Sequence, residues 1–259
     1  MFINNKLRDE IFNSSIVHGF WDNNRSYQDF ILNVIGEFEE TLDELKLNKP
    51  DEVYYLDGKK LSGVPTELSD IIIFILDYFG GSNPQIDVLE DYLLESNKYY
   101  KNNEWYELKR SCDPYKVFIE IMDEAKKHLS LSLMDYTIHG NSEFIGDDNK
   151  PHSVVNELHE VLKLVLEFCD IYHIDIPKEL RRKIDYNKNR PKDYRKMGTN
   201  TPLEIDRDKL MARALNMGNG AYKLVDDIIR DNTAINDEVL RKRDLREQME
   251  KDEHGNKRV

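Results

Sequence analysis

The chain has 259 residues, of which 39% are hydrophobic, and its 37 basic and 50 acidic side chains give a formal charge of −13. That size and apolar content suffice for a sizeable core, and its two cysteines, Cys112 and Cys169, lie in helical-looking stretches without metal-ligand spacing, which argues against a disulfide framework or a zinc site. The charge repels a phosphate backbone and sets aside duplex nucleic acid as a partner.

A negative protein acting on a negative substrate needs a cation between them, which divalent magnesium supplies where carboxylates converge. The alternative, that acidity only keeps the protein soluble, stays open. The N-terminal MFINNKLRDEIF lacks the pattern of a signal peptide, and the apolar run at 71–76 is too short to span a bilayer. The expectation is a cytoplasmic protein in a reducing compartment, with no membrane contact.

Taken in chain order, Ile31, Val34, Ile35, Phe38, Leu42 and Leu45 recur at steps of three and four, which predicts an amphipathic helix over 27–46. A loop with Pro50, Gly58 and Gly63 follows. Pro65 then suits the first turn of a helix over 65–79, ended by Gly80 and Gly81. Further helices are expected over 84–95, 113–135, 153–172, 178–187 and 203–217, with a charged one over 221–251. No stretch reads as a sheet, so the fold class is all-α.

Two segments resemble each other. VPTELSDIIIFILDYFG at 64–80 lines up with VNELHEVLKLVLEFCD at 155–170, setting Glu67 and Asp70 opposite Glu157 and Glu160. NVIGEFEETL from Asn33 can be laid on EIMDEAKKHL from Glu120, setting Glu37 on Glu124 but Glu40 on Lys127. One reading is a tandem-duplicated pseudo-dimer, with halves at 16–100 and 112–198 and one competent acidic site. The other is two helices that share ordinary amphipathic patterning. Domains are drawn at 1–198 for the helical bundle and 199–259 for a charged helical extension.

Glu37 and Glu40 are neighbours on one helix surface, a spacing that usually marks a solvated face. Glu67, Asp70 and Asp77 say more, because they form one acidic stripe on a helix that is apolar nearly all round. Buried carboxylates need cations, and both magnesium and a Lys or Arg from a neighbouring helix answer that need. Antiparallel packing of the two helices would gather Glu37, Glu40, Glu67 and Asp70 into an oxygen cage for a hard cation. A di-iron site would want Glu-x-x-His pairs, whereas His159 stands two residues after Glu157 and reads as a surface or partly buried helix histidine.

With HGFW at 18–21, IGEFEETLDEL at 35–45, KLSGVPTELSDIIIFILD at 60–77 and KIDYNKNRP at 183–191, the chain resembles the MazG-like all-α nucleoside triphosphate pyrophosphohydrolases. The resemblance covers 16–80 and, more loosely, 151–198. It implies magnesium, with manganese as a substitute, held by Glu37, Glu40, Glu67 and Asp70, and hydrolysis of a nucleoside triphosphate to monophosphate and pyrophosphate. Glu37 and Glu40 would carry the catalysis, with Glu44 or Glu39 orienting the water. Lys60, Lys183 and Arg190 would neutralise phosphates, Asn187 would hydrogen-bond the substrate and Trp21 would stack on its base. The resemblance also implies a homo-oligomer. The segment 81–150 is longer than in compact members. A non-catalytic helical nucleotide sensor or interaction module is the alternative reading.

Overall fold

The computed structural model describes residues 3–22, 26–56, 60–82, 85–90, 104–145 and 151–189. The chain divides after Asp206 into two units, and all of these residues belong to the first. Arg190, the helices expected over 203–217 and 221–251, and the extension at 199–259 lie outside the described residues.

Helix α1 (Asn5–Val17) starts where the Asn4 side chain accepts a hydrogen bond from the Leu7 amide. It buries only Leu7, Arg8 and Ile11, too thin a stripe for its periodicity to stand out in the sequence. Helix α2 (Tyr27–Leu47) opens with a capping box. The Ser26 hydroxyl accepts from the Asp29 amide, and the Asp29 carboxylate accepts from the Ser26 amide. The expected apolar positions face inward, with Ile31, Val34, Ile35 and Phe38 almost wholly enclosed.

The described chain is mostly helical, as expected, but the stretch expected as a plain loop after α2 folds as an antiparallel ribbon of β1 (Tyr54–Leu56) and β2 (Lys60–Ser62), with Tyr54 opposite Ser62. Strands of three residues carry too little alternation to be read from sequence. Gly63 turns the chain from the ribbon into the next helix at φ +115°, where a Cβ would stand 2.2 Å from the Glu52 carbonyl oxygen, so no side chain fits. Helix α3 (Val64–Gly81) follows, with Pro65 in its first turn.

Four further helices complete the described chain: α4 (Glu104–Arg110), α5 (Pro114–His139), α6 (Val154–Ile171) and α7 (Ile176–Lys188). Asp113, Ser153 and Asp175 cap the last three by accepting from backbone amides. Between α5 and α6 lies a second ribbon of β3 (Phe144–Ile145) and β4 (Pro151–His152). Cys112, expected in a helical stretch, falls in the turn between α4 and α5 and is exposed, whereas Cys169 is buried on α6; both are free.

Helix α3 is central. It packs against α1, α2, α6 and α7, and Val64, Leu68, Ile71, Ile72, Ile75, Leu76 and Phe79 have no exposed surface. Each such side chain contributes about 1.5–3 kcal/mol of burial, so tertiary packing holds this helix. The chain thus contains two helix–ribbon–helix units, α2–β1–β2–α3 and α5–β3–β4–α6, and α3 and α6 are both 18 residues long. They join through α2 and α5, where Phe38 stacks on Phe118 at 5.7 Å, and Phe118 meets Phe168 edge-on at 4.9 Å.

The helix expected over 84–95 does not form at 85–89, and residues 91–95 lie outside the described set. The segment is instead an extended strap that buries every second residue, Ile86 and Val88. Its backbone finds partners in other elements. Arg8 donates to the Ile86 carbonyl at 2.6 Å, the Val88 amide donates to Asn5 Oδ1 and the Leu89 amide to His159 Nε2. His159 is therefore fully enclosed rather than at the surface, and burial lowers its pKa.

Candidate metal centre

Because α2 and α3 run antiparallel on either side of a tight ribbon, positions along one helix meet positions along the other in reverse order. Glu37 of α2 thereby faces Glu67 and Asp70 of α3, and one carboxylate oxygen from each lies within 4.8 Å of the others. Points so spaced lie within about 2.8 Å of a common centre (4.8/√3). Magnesium–oxygen distances are about 2.0–2.1 Å and calcium–oxygen distances about 2.3–2.6 Å, so side-chain adjustments well under 1 Å bring all three onto one ion. The three acids fit a hard divalent cation by number and by donor type.

A fourth group comes from α7. Lys183 is 1% exposed, and its ammonium lies 2.5 Å from Asp70 Oδ2 and 5.8 Å from the Tyr186 ring. A single ammonium does not balance the acids. Burial first, then the charges of Asp70, Glu40 and Glu67, push Glu37 up to about 9, against the opposing pull of Lys183. Glu67, which is 2% exposed, is pushed up to about 7 by burial and by Asp70. Without a further cation the cluster retains protons that ordinary carboxylates would have lost.

The other expected site residues distribute as follows. Glu40 is half-exposed, 3.6 Å from the Lys60 ammonium on β2, and outside the group of three oxygens, although its charge acts on Glu37 and Glu67. Glu44 accepts from the Tyr54 hydroxyl at 3.0 Å and from Asn48 at 2.7 Å, tying the end of α2 to the ribbon. Glu39 is exposed. Asn187 stands one turn beyond Lys183 on α7, and its Oδ1 is buried without a hydrogen-bond partner among the described residues.

Trp21 lies away from the three acids, at the far end of the groove between α2 and α3. Its indole N–H donates to Asp77 Oδ1 at 3.0 Å, and its ring rests against Gly81, where a Cβ would come within 2.1 Å. There it helps to line a cavity of about 310 Å³ with Tyr27, Phe30, Phe74, Tyr78 and Tyr136. Sequence reasoning missed this aromatic lining. A signal existed, since Phe30 precedes Glu37 and Asp77 follows Asp70 by seven residues, two turns on the same helix face.

In the second helix–ribbon–helix unit the corresponding acids are engaged by neighbouring bases. Lys127 pairs with Glu124 at 2.5 Å, Lys163 with Glu160 at 2.8 Å and His128 with Glu157 at 2.7 Å. Among the described residues, only Glu37, Glu67 and Asp70 form a group of three acidic, His or Cys ligands close enough to share an ion. No described helix is long and apolar enough to cross a membrane. The class defined by fold and site is an all-α protein with one convergent acidic cluster. Compared with known proteins, the chain matches no family model, no curated protein and no solved structure.

Proposed function

We propose that this chain is a magnesium-dependent nucleoside triphosphate pyrophosphohydrolase with a MazG-like bundle, acting in the cytoplasm. The observation that carries the reading is the convergence of Glu37, Glu67 and Asp70 from two helices beside the buried ammonium of Lys183. Three acids and one lysine suit a polyphosphate brought in with its own cation, and suit a bare anion poorly. Glu37, Glu67 and Asp70 would hold the metal, with Glu40 one turn away as a further ligand from α2. When bound, magnesium supplies charge neutralisation for the phosphate oxygens and acidity for the attacking water.

The chain's own groups do the rest. Lys183, anchored by Asp70, holds a positive charge against the phosphates, and Asn187, one turn on along the same helix, would hydrogen-bond the substrate. Lys60 on β2, 3.6 Å from Glu40, would add a second positive charge. The aromatic cavity two turns away receives the base. Water adds across the α–β anhydride, and the products are the monophosphate and pyrophosphate. The matching helix–ribbon–helix units and the base-paired acids of the second support a tandem duplication in which one unit keeps the site.

Incubation with a panel of nucleoside triphosphates and magnesium should release pyrophosphate, and Glu67→Gln should abolish that release while keeping the helical content. Orthophosphate as the product, or full activity in the variant, would refute the reading. The Asp70–Lys183 contact favours one other reading, a nucleotide sensor in which the lysine takes the place of the metal. That reading gains if magnesium with nucleotide stabilises the protein and no product forms.

A further inference from the structure

Helix α7 carries Lys183 to the acidic cluster, yet its apolar contacts do not fix where along α3 that lysine lands. The buried apolar residues of α7 are Ile176, Leu180 and Ile184, spaced at steps of four. A stripe with that repeat matches itself again after a slide of four residues, about 6 Å along the axis. Such a slide keeps apolar side chains against α3 but sets Glu179 or Asn187 opposite Asp70 in place of Lys183. The register therefore has to come from polar contacts.

Those contacts flank the stripe on both sides. At about 100° per residue, Lys183 projects about 60° to one side of Leu180, and Arg181 and Lys188 project about 80–100° to the other. The first side is pinned to α3, where the Lys183 ammonium lies 2.5 Å from Asp70 Oδ2. The second is pinned to α1. Glu10 accepts from both terminal nitrogens of Arg181, at 2.6 and 3.1 Å, and from the Lys188 ammonium at 2.6 Å. A two-pronged arginine contact fixes direction as well as distance. Because Arg181 and Lys188 stand two turns apart, one carboxylate restrains both the sliding and the rotation of α7. The hydrogen bonds from Arg181 and then Lys188 hold Glu10 down at about 2, so the clamp keeps its charge throughout the neutral range. Helix α1 is a firm base for it, since it packs on α3 and its buried Arg8 donates to the Ile86 carbonyl.

We propose that Glu10 is a positioning residue, whose clamp on Arg181 and Lys188 sets the register of α7 and thereby keeps the Lys183 ammonium at Asp70. The catalytic consequence rests on the pyrophosphohydrolase reading, in which this register places the charge of Lys183 beside the bound polyphosphate. Glu10 acts through α7 and takes no part in the chemistry.

Two measurements on the full chain test the assignment. The first needs no activity. Labelling with acetic anhydride, followed by peptide mass mapping, reads how readily the Lys183 amine leaves its enclosed position. Glu10→Gln keeps the size of the side chain and removes its charge. It should raise the labelling rate of Lys183 at least about fivefold, with the exposed Lys46 as an unchanged reference. Glu10→Asp, which restores the charge on a shorter stem, should fall between the two. The second measurement is a double-mutant cycle on pyrophosphate release. Glu10→Gln should lower kcat about tenfold where Lys183 is present and leave the residual rate of Lys183→Met unchanged, because nothing remains to be placed once the lysine is gone. Unaltered labelling of Lys183 in Glu10→Gln would overturn the proposal. So would an equal loss of kcat with and without Lys183, the mark of a merely structural role. If the wild type releases no pyrophosphate, the proposed reaction fails and the labelling alone decides the role of Glu10.

Discussion

Glu37→Gln preserves the volume of the side chain and removes a charge that the metal-free fold resists. Burial and the neighbouring acids hold Glu37 at about 9, against 4.5 for an ordinary glutamate. Between those values the folded chain keeps a proton that the unfolded chain has released. The wild-type contribution to stability is therefore complete below about pH 4.5 and falls as pH rises toward about 9. At about pH 7.5 the gap above the unfolded value is about three pH units, and at about 1.4 kcal/mol per unit the penalty is at most about 4 kcal/mol. Glutamine does not titrate, so the variant should be more stable than wild type by about 2–4 kcal/mol at that pH and equal to it near pH 4.5. In a body of this size 1 kcal/mol moves Tm by about 2–4 °C, which predicts a gap of about 4–16 °C. Melting curves of both proteins in EDTA and in magnesium chloride, across this pH range, read it directly. Magnesium should raise the wild-type Tm and leave the variant nearly unmoved. A gap that is absent at neutral pH, or equally large near pH 4.5, would refute the account of the cluster.

The remaining predictions concern the groups around that cluster. Lys183→Met removes the ammonium 2.5 Å from Asp70 and should cost about 3 kcal/mol in EDTA by urea unfolding, partly restored by magnesium; an unchanged midpoint would mean the pair adds nothing. Gly63→Ala forces a Cβ onto the Glu52 carbonyl at positive φ and should lower stability by at least about 2 kcal/mol, with the loss seen as a lower Tm. Phe118→Ala empties the contact between the two helix–ribbon–helix units and should cost about 3–5 kcal/mol by the same urea assay. A cost below about 1 kcal/mol would show that the units pack independently.

The long helices were legible in the sequence because their apolar positions repeat over several turns. Helix α2 was expected over 27–46 and spans Tyr27–Leu47, and α3 was expected over 65–79 and spans Val64–Gly81. Short elements were not. The ribbons have two or three residues per strand, and α1 buries only Leu7, Arg8 and Ile11, so neither offers enough repeats to set a period. The strap at 85–89 misled because Ile86 and Val88 are apolar in either conformation. Which one wins depends on donors supplied by Arg8 and acceptors supplied by Asn5 and His159, far away in sequence.

Of the candidate site, the meeting of Glu37 with Glu67 and Asp70 followed from helix register alone. The partnership of Lys183 with Asp70 did not, since nothing in the spacing says where α7 docks. For the aromatic cavity the sequence marked only Phe30 and Asp77, by their seven-residue spacing from the acids; that walls from α5 and the loop before α2 join them is recorded by no local pattern.

The presence of both helix–ribbon–helix units in one polypeptide has an evolutionary consequence. When symmetry generates a second copy, every substitution appears twice, and an improvement on one side is imposed on the other. Here each hairpin has its own codons. His128 and Lys163 pair with acids of one hairpin, while Glu37, Glu67 and Asp70 converge on one another in the other. Asymmetry of this kind is open only where each unit has its own stretch of sequence.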